Sequence, residues 1–366
     1  MRRFTIFALC SLAFAATAAA LRANADEPTT AQQFLDRGID HSNHNDATAA
    51  EAEFSKAIQL DPTNVMAFRW RAVARQTLGN NQGADEDLTQ AIKLNPYDNN
   101  TFYDRAMLRR KLNFTAGALA DITKATELAP TEPRNFNVRG WINGDKSDWK
   151  AAIADEDKAI ELNPNVAGYY NDRAVYKING GECESAVSDC TKAIKLDPKM
   201  ALAYTNRGIA LRIQKKPDLT AALADFNKAM ELSPNYSTAI SGRGEVYRLQ
   251  GKLDRAVADF NKALTLTPSD NFALVHLGYA LFAKGDASGA VVDFNRYLQA
   301  YPNDGEALMH RGLAELRLGQ SDVAQKDLDT AVKLLPGLKD KIAEESKKIN
   351  GVAKVAKGAS KTGAQK

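Results

Sequence analysis

The sequence is short of the residues that staple, ligate or catalyse: its 366 residues include three cysteines, four histidines and three tryptophans. Cys10 lies in an N-terminal apolar run, which leaves Cys183 and Cys190, seven residues apart on one expected helix. At the helical rise per residue their Cα atoms stand about 10 Å apart, beyond the roughly 7 Å that a disulfide spans. Both occupy places where other parts of the chain carry bulky apolar groups, so they read as small buried hydrophobes. Without staples, an apolar core has to hold the chain together. Glycine-rich phosphate loops and His/Cys clusters at metal-ligand spacing are missing as well, and His41 and His44 find no third ligand. These absences argue for no catalytic residue, no metal and no cofactor, and against an enzyme.

An excess of charge of one sign is also lacking. Lys and Arg number 48 against 45 Asp and Glu. Arg2, Arg3 and Arg22 are the only charges in residues 1–25, so the rest of the chain is balanced. Residues 339–366 hold eight lysines against Asp340, Glu344 and Glu345, which leaves the body before them mildly acidic. Nucleic acid requires a clustered basic face, and this distribution does not supply one.

Long hydrophobic runs are reduced to one. Residues 4–21 are uncharged and apolar, follow Met1-Arg2-Arg3 and precede Ala23-Asn24-Ala25. That is the arrangement of a secretory signal peptide removed before Asp26. The run approaches the length of a membrane anchor, but its Ala, Ser and Thr content and the small-x-small site favour removal. No other segment is apolar enough to span a bilayer, so the mature chain is expected to be exported without a transmembrane segment. In a bacterium its place would be the periplasm or cell envelope.

What the sequence has in quantity is period. After a lead at 26–30, nine repeats run 31–64, 65–98, 99–132, 133–166, 167–200, 201–236, 237–270, 271–304 and 305–338. All have 34 residues except the sixth, which has 36. Place 8 holds Gly38, Ala72, Ala106, Gly140, Ala174, Gly208, Gly244, Gly278 and Gly312. Place 20 is alanine nine times, from Ala50 to Ala324, and a proline closes every repeat, from Pro62 to Pro336. Each repeat carries two runs with helical apolar spacing and a break near places 15–16. Two short amphipathic helices joined by a tight turn pack antiparallel, and small residues at places 8 and 20 let their backbones approach. One such pair cannot cover its own apolar faces, so the pairs must stack into an all-α solenoid.

This pattern resembles the tetratricopeptide repeat (TPR) family over residues 31–338. The small residue at place 8, the alanines at places 20 and 27, the phenylalanines at place 24 (Phe54, Phe226, Phe260, Phe294) and the closing proline carry the resemblance. It implies a right-handed superhelix whose first helices line a concave groove for partner peptides or domains. Places 2, 5, 9, 12 and 13 would face that groove. Repeats three to five then present Tyr103, Met107, Arg110, Lys111, Arg134, Asn137, Trp141, Asn171 and Val175, a mixture of aromatic and Arg groups typical of binding hot spots. Phe272, Tyr279 and Phe282 of repeat eight form a second aromatic patch. The Lys and Asn pairs with which the family clamps a terminal carboxylate are not matched, which disfavours a receptor for chaperone C-terminal tails.

Several finer expectations follow. An Arg at place 7 recurs with an acid at place 23, as Arg243 with Asp259, and reads as a ladder of exposed ion pairs worth about 0.2–1 kcal/mol each. Leu277 breaks the ladder in repeat eight and leaves Asp293 to Arg296. Repeat four, with Gly144 in its first helix and Glu156 at place 24, should pack loosely. Residues 339–350 should form a capping helix through Leu338, Ile342 and Ile349, and the Lys-rich residues 351–366 a disordered tail. The function expected is an exported scaffold binding proteins or peptides through the groove, in envelope assembly or maintenance. The alternative is an accessory protein whose tail meets anionic glycan or lipid.

Overall fold

The computed structural model describes residues 28–362 of the chain, so the expected signal segment lies outside the described residues. Among them the chain is helical throughout, with nineteen α-helices, one 3-10 turn and no strand. It divides after Pro164 into two compact units. The N-terminal unit pairs α1 (Ala31–Asn43) with α2 (Ala47–Leu60) and α3 (Val65–Thr77) with α4 (Asn81–Leu94). It continues with α5 (Asn99–Lys111) and α6 (Thr115–Leu128), then α7 (Pro133–Asp145) and α8 (Trp149–Leu162). The C-terminal unit holds α9 (Ala167–Asn179) with α10 (Cys183–Leu196), and α11 (Ala201–Ile213) with α12 (Leu219–Leu232). There follow α13 (Ser237–Leu249) with α14 (Leu253–Leu266), α15 (Asn271–Lys284) with α16 (Ala287–Ala300), and α17 (Gly305–Arg317) with α18 (Ser321–Leu334). A turn at Pro336–Leu338 leads into α19 (Lys339–Thr362).

Local chemistry sets each boundary. Asn64, Asp98, Asp270 and Asp304 each accept a hydrogen bond from a backbone N–H in the first turn of α3, α5, α15 and α17, satisfying donors that no helical carbonyl can reach. Between paired helices the chain must pass through the left-handed region: Gly79, Gly181, Gly251, Gly285 and Gly319 have φ between +74° and +93°, and Asn45, Asn113 and Ser147 take the same place in repeats one, three and four. Repeat six has no such residue and uses its two-residue insertion instead. Each second helix ends at an extended residue before its proline, Asp61 before Pro62 for example.

The place 8 and place 24 columns meet as their sizes require. A Cβ on Gly38, Gly208, Gly244 or Gly278 would lie 2.5 to 3.0 Å from the ring of Phe54, Phe226, Phe260 or Phe294. Where place 24 shrinks to Leu88, Ile122 or Cys190, place 8 is alanine, and all of these side chains are fully buried. Cys183 and Cys190 are free and buried, and burial pushes the Cys190 thiol up to about 12. Repeat four departs from the loose packing expected of it: Glu156 is fully buried, and Asn137 donates to its two carboxylate oxygens at 2.9 and 3.1 Å. A polar pair replaces the aromatic ring there.

Leu338, Ile342 and Ile349 are buried in a cluster with Leu308, Met309 and Leu313, so α19 covers the apolar face that the last repeat would expose. The expectation that the helix stops at residue 350 is corrected, since α19 runs to Thr362. The stretch after Gly351 lacks proline and alternates Ala with Lys, both strong helix formers that carry the helix past its glycines.

Candidate partner-binding faces

In the N-terminal unit, the two arginines expected on the first-helix face are present and compensated. Arg110 on α5 donates to Asp145 at 2.6 Å, and its guanidinium carbon lies 5.4 Å from the Trp141 ring centre. Arg134 on α7 lies 4.7 Å from the Tyr103 ring centre and donates to Asn100. Arg69 pairs with Asp104 at 2.7 Å, yet burial outweighs that pairing and raises the Asp104 carboxyl above its usual range. Tyr103 and Met107 are half-buried against Ile122 and its neighbours, and Lys111 is exposed. Aromatic rings capped by guanidinium groups are amphipathic surfaces suited to partner contacts.

Two of the residues expected to face a groove do not. Asn137 and Asn171 are only 7% and 2% exposed. Asn137 is turned to Glu156, while Asn171, on α9 in the C-terminal unit, accepts from Asn206 at 2.9 Å. Place 5 in these repeats faces the neighbouring helix, where an amide is retained because a buried polar partner needs it. Val175, also on α9, is half-buried.

The second patch is a cluster of tilted and edge-on rings. On α15, Phe272 lies 4.1 Å from His276 between ring centres, and His276 5.6 Å from Tyr279. Tyr279 lies 4.6 Å from His310, and Arg317 covers Phe282 at 3.7 Å. Burial lowers the pKa of His310. Beside these rings, Glu245 accepts from Arg248 at 2.7 and 2.8 Å and lies 3.1 Å from His276 Nδ1. Burial pushes the Glu245 carboxyl up, but hydrogen bonds from Arg248 and the nearness of the His276 imidazole more than offset it and hold it at about 2.

Sequence reasoning missed a hollow of about 440 Å³ in the C-terminal unit, between α11, α13 and the start of α15. Arg212, Ile209, Thr238, Ser241, Asp270 and Phe272 are among its lining residues. The signal was present in the columns: place 5, which is Arg69 in repeat two and Tyr103 in repeat three, falls to Ser241 in repeat seven.

The arginine ladder is deeper than expected. Arg71, Arg105 and Arg243 reach Asp87, Asp121 and Asp259 at 2.6 to 2.8 Å, and these acids are 3 to 7% exposed. The same arginines also reach back to the preceding repeat, where Ser55, Thr89 and Asn227 accept. They therefore tie successive helix pairs together, which the sequence reading did not anticipate. In repeat eight, Asp293 has only Arg296, at 3.5 Å, among the described residues, and burial raises its carboxyl.

Fold and faces together define a helix-pair repeat protein. Residues 35–99 and 272–304 match tetratricopeptide repeat models, and residues 244–285 match a TPR repeat model. These stretches are tetratricopeptide repeats, and they build a scaffold suited to protein–protein interaction. Among solved structures, a tetratricopeptide repeat protein from Parabacteroides merdae is 20% identical, over 69% of this chain and 98% of that one, with a TM-score of 0.56. A chain of the APC/C hetero-tetramer Cut9–Hcn1 is 13% identical, over 87% of this chain and 76% of that one, with a TM-score of 0.61. These likenesses concern the fold. No curated protein matches the chain.

Proposed function

We propose that this protein is an exported, non-enzymatic scaffold that captures partner proteins or peptides on the first-helix faces of its repeats, in the cell envelope if the source is bacterial. The observation that carries the reading is the pair of ring-and-guanidinium clusters, Tyr103 with Arg134 and Trp141 with Arg110. Each offers a wide apolar ring with a cation on it, the residue types around which binding energy concentrates. Export rests on the residue pattern of positions 1–25, and among the described residues no helix is long and apolar enough to cross a membrane. The alternative reading, an accessory protein that meets anionic glycan or lipid through residues 351–366, rests on the lysines of that stretch of sequence.

The test is a pull-down from envelope extract with the wild-type chain and with Tyr103→Ala, Arg110→Ala and Trp141→Ala. Loss of the same partners in all three supports the reading, and unchanged recovery in all three refutes it. N-terminal sequencing of the exported protein should begin at Asp26, and an intact Met1 would overturn the signal assignment.

A further inference from the structure

Arginines recur at place 12 of three repeats, as Arg110, Arg212 and Arg248. Arg110 has Asp145, from place 13 of the next repeat. Arg248 has Glu245, from place 9 of its own. Arg212 has neither, because those places hold Leu249 and Ile209. Its guanidinium is largely buried, and burial lowers its pKa against an opposing pull from Glu245. Its Nε is buried with no acceptor among the described residues, and the nearby carboxylate of Glu245 is already taken by Arg248 and His276. A desolvated donor left unmade is costly, and the Arg212 side chain that carries it lines an open hollow.

The hollow has the rest of a recognition site. The Phe272 ring centre lies 5.5 Å from the Arg212 guanidinium carbon, which leaves the guanidinium edge for a planar acceptor. Thr238 and Ser241 add hydroxyls, and Ile209 adds an apolar wall. Asp270 lines the same hollow without forming an ion pair with Arg212; its carboxylate caps α15 and retains capacity to accept an N–H. A cation for one carboxylate, a ring for an apolar neighbour and an acceptor for a backbone N–H describe an internal acidic residue of an extended chain.

Resting on the scaffold reading above, we propose that this hollow is the anchor of the C-terminal unit, holding an Asp or Glu side chain of a partner segment through Arg212, with an adjacent apolar side chain against Phe272. This differs from capture of a chain terminus, whose carboxylate belongs to the backbone and not to a side chain within the segment.

The experiment titrates the full chain, with arginine side chains labelled for NMR, against four probes: the capped tetrapeptide Ala-Phe-Glu-Ala amide, its Gln analogue, that Gln analogue with a free terminal carboxylate, and inorganic phosphate. The Glu peptide should shift the Arg212 Nε–H signal and bind at least about tenfold more tightly than the Gln amide, as loss of a charged hydrogen bond predicts. Arg212→Gln should reduce it to the level of the Gln amide. Leu249→Asp should do the same by supplying the acid that Arg110 already has, and both variants should keep one cooperative melting transition no lower than that of the wild-type chain. Equal binding of the Glu and Gln amides, a Glu preference that survives Arg212→Gln, tighter binding of phosphate or of the free terminus, or no binding by any probe at millimolar concentration would overturn the proposal. The pull-down above uses whole partners and N-terminal residues, so either test can fail while the other stands.

Discussion

Arg110 and Arg212 occupy the same place of the repeat, one in each unit, and differ in whether an acid answers the charge. Arg110 lies on a ring and has an acid, Asp145. Arg212 also has a ring, Phe272, but no acid, because Leu249 stands where the acid would be. The first arrangement is self-sufficient, and its guanidinium contributes an amphipathic surface without demanding a ligand. The second leaves a partly dehydrated cation in need of an acceptor. In a repeat protein the scaffold columns are alike from unit to unit, so specificity resides in which variable places complete a charge and which leave it open.

The comparison can be broken at several strengths. Removing an acid from a buried, completed pair should cost most. Asp121 is held by Arg105 at 2.6 Å and Arg109 at 2.8 Å, so Asp121→Ala should lower stability by about 3–5 kcal/mol, read as a shift of the urea midpoint. A change below about 1 kcal/mol would restore the exposed-ladder reading. Glu245 comes next. Its folded carboxyl is held at about 2 against an ordinary 4.5, so its contribution is present above pH 4.5 and lost as pH falls from there toward 2. Glu245→Gln should cost about 2 kcal/mol at neutral pH and flatten the stability profile between those values.

The weaker effects test incomplete charges. Burial raises the Asp293 carboxyl, and Arg296, its one close cation among the described residues, stands 3.5 Å away and only partly opposes the rise. Asp293→Asn should therefore be neutral or stabilising by up to about 1 kcal/mol at pH 7, the opposite sign from Asp121→Ala. Asp145 is largely exposed, so Asp145→Leu should change stability by less than about 1 kcal/mol. It should also turn Arg110 into a second Arg212, giving the N-terminal unit a measurable preference for the Glu tetrapeptide. If no preference appears, the open charge is not what makes the hollow selective.

Much of this was legible in the chain. Gly244 facing Phe260, Ala256 and Ala263 at the helix crossing, and Pro268 at the close are short-range requirements of two helices in contact, so they recur at fixed spacing and identify the architecture. The break after each first helix was also legible, because a left-handed residue is supplied most cheaply by Gly or Asn. Burial of the ladder acids was not, since an Arg and an Asp at places 7 and 23 look alike whether the pair is wet or dry. Asn137 and Asn171 were misassigned for a related reason. A place number locates a residue on a helix, but the side chain opposite, Glu156 or Asn206, determines whether it turns inward.

The sequence by itself determined the number of helix pairs, their ends and the packing of place 8 against place 24, because each follows from interactions within a repeat or with its immediate neighbour. Tertiary structure alone decided which charges are complete. Arg212 meets Phe272 across an intervening repeat, and the hollow between them exists because Thr238 and Ser241 are small in that repeat. Such a site depends on three repeats at once, and no period of 34 residues records it.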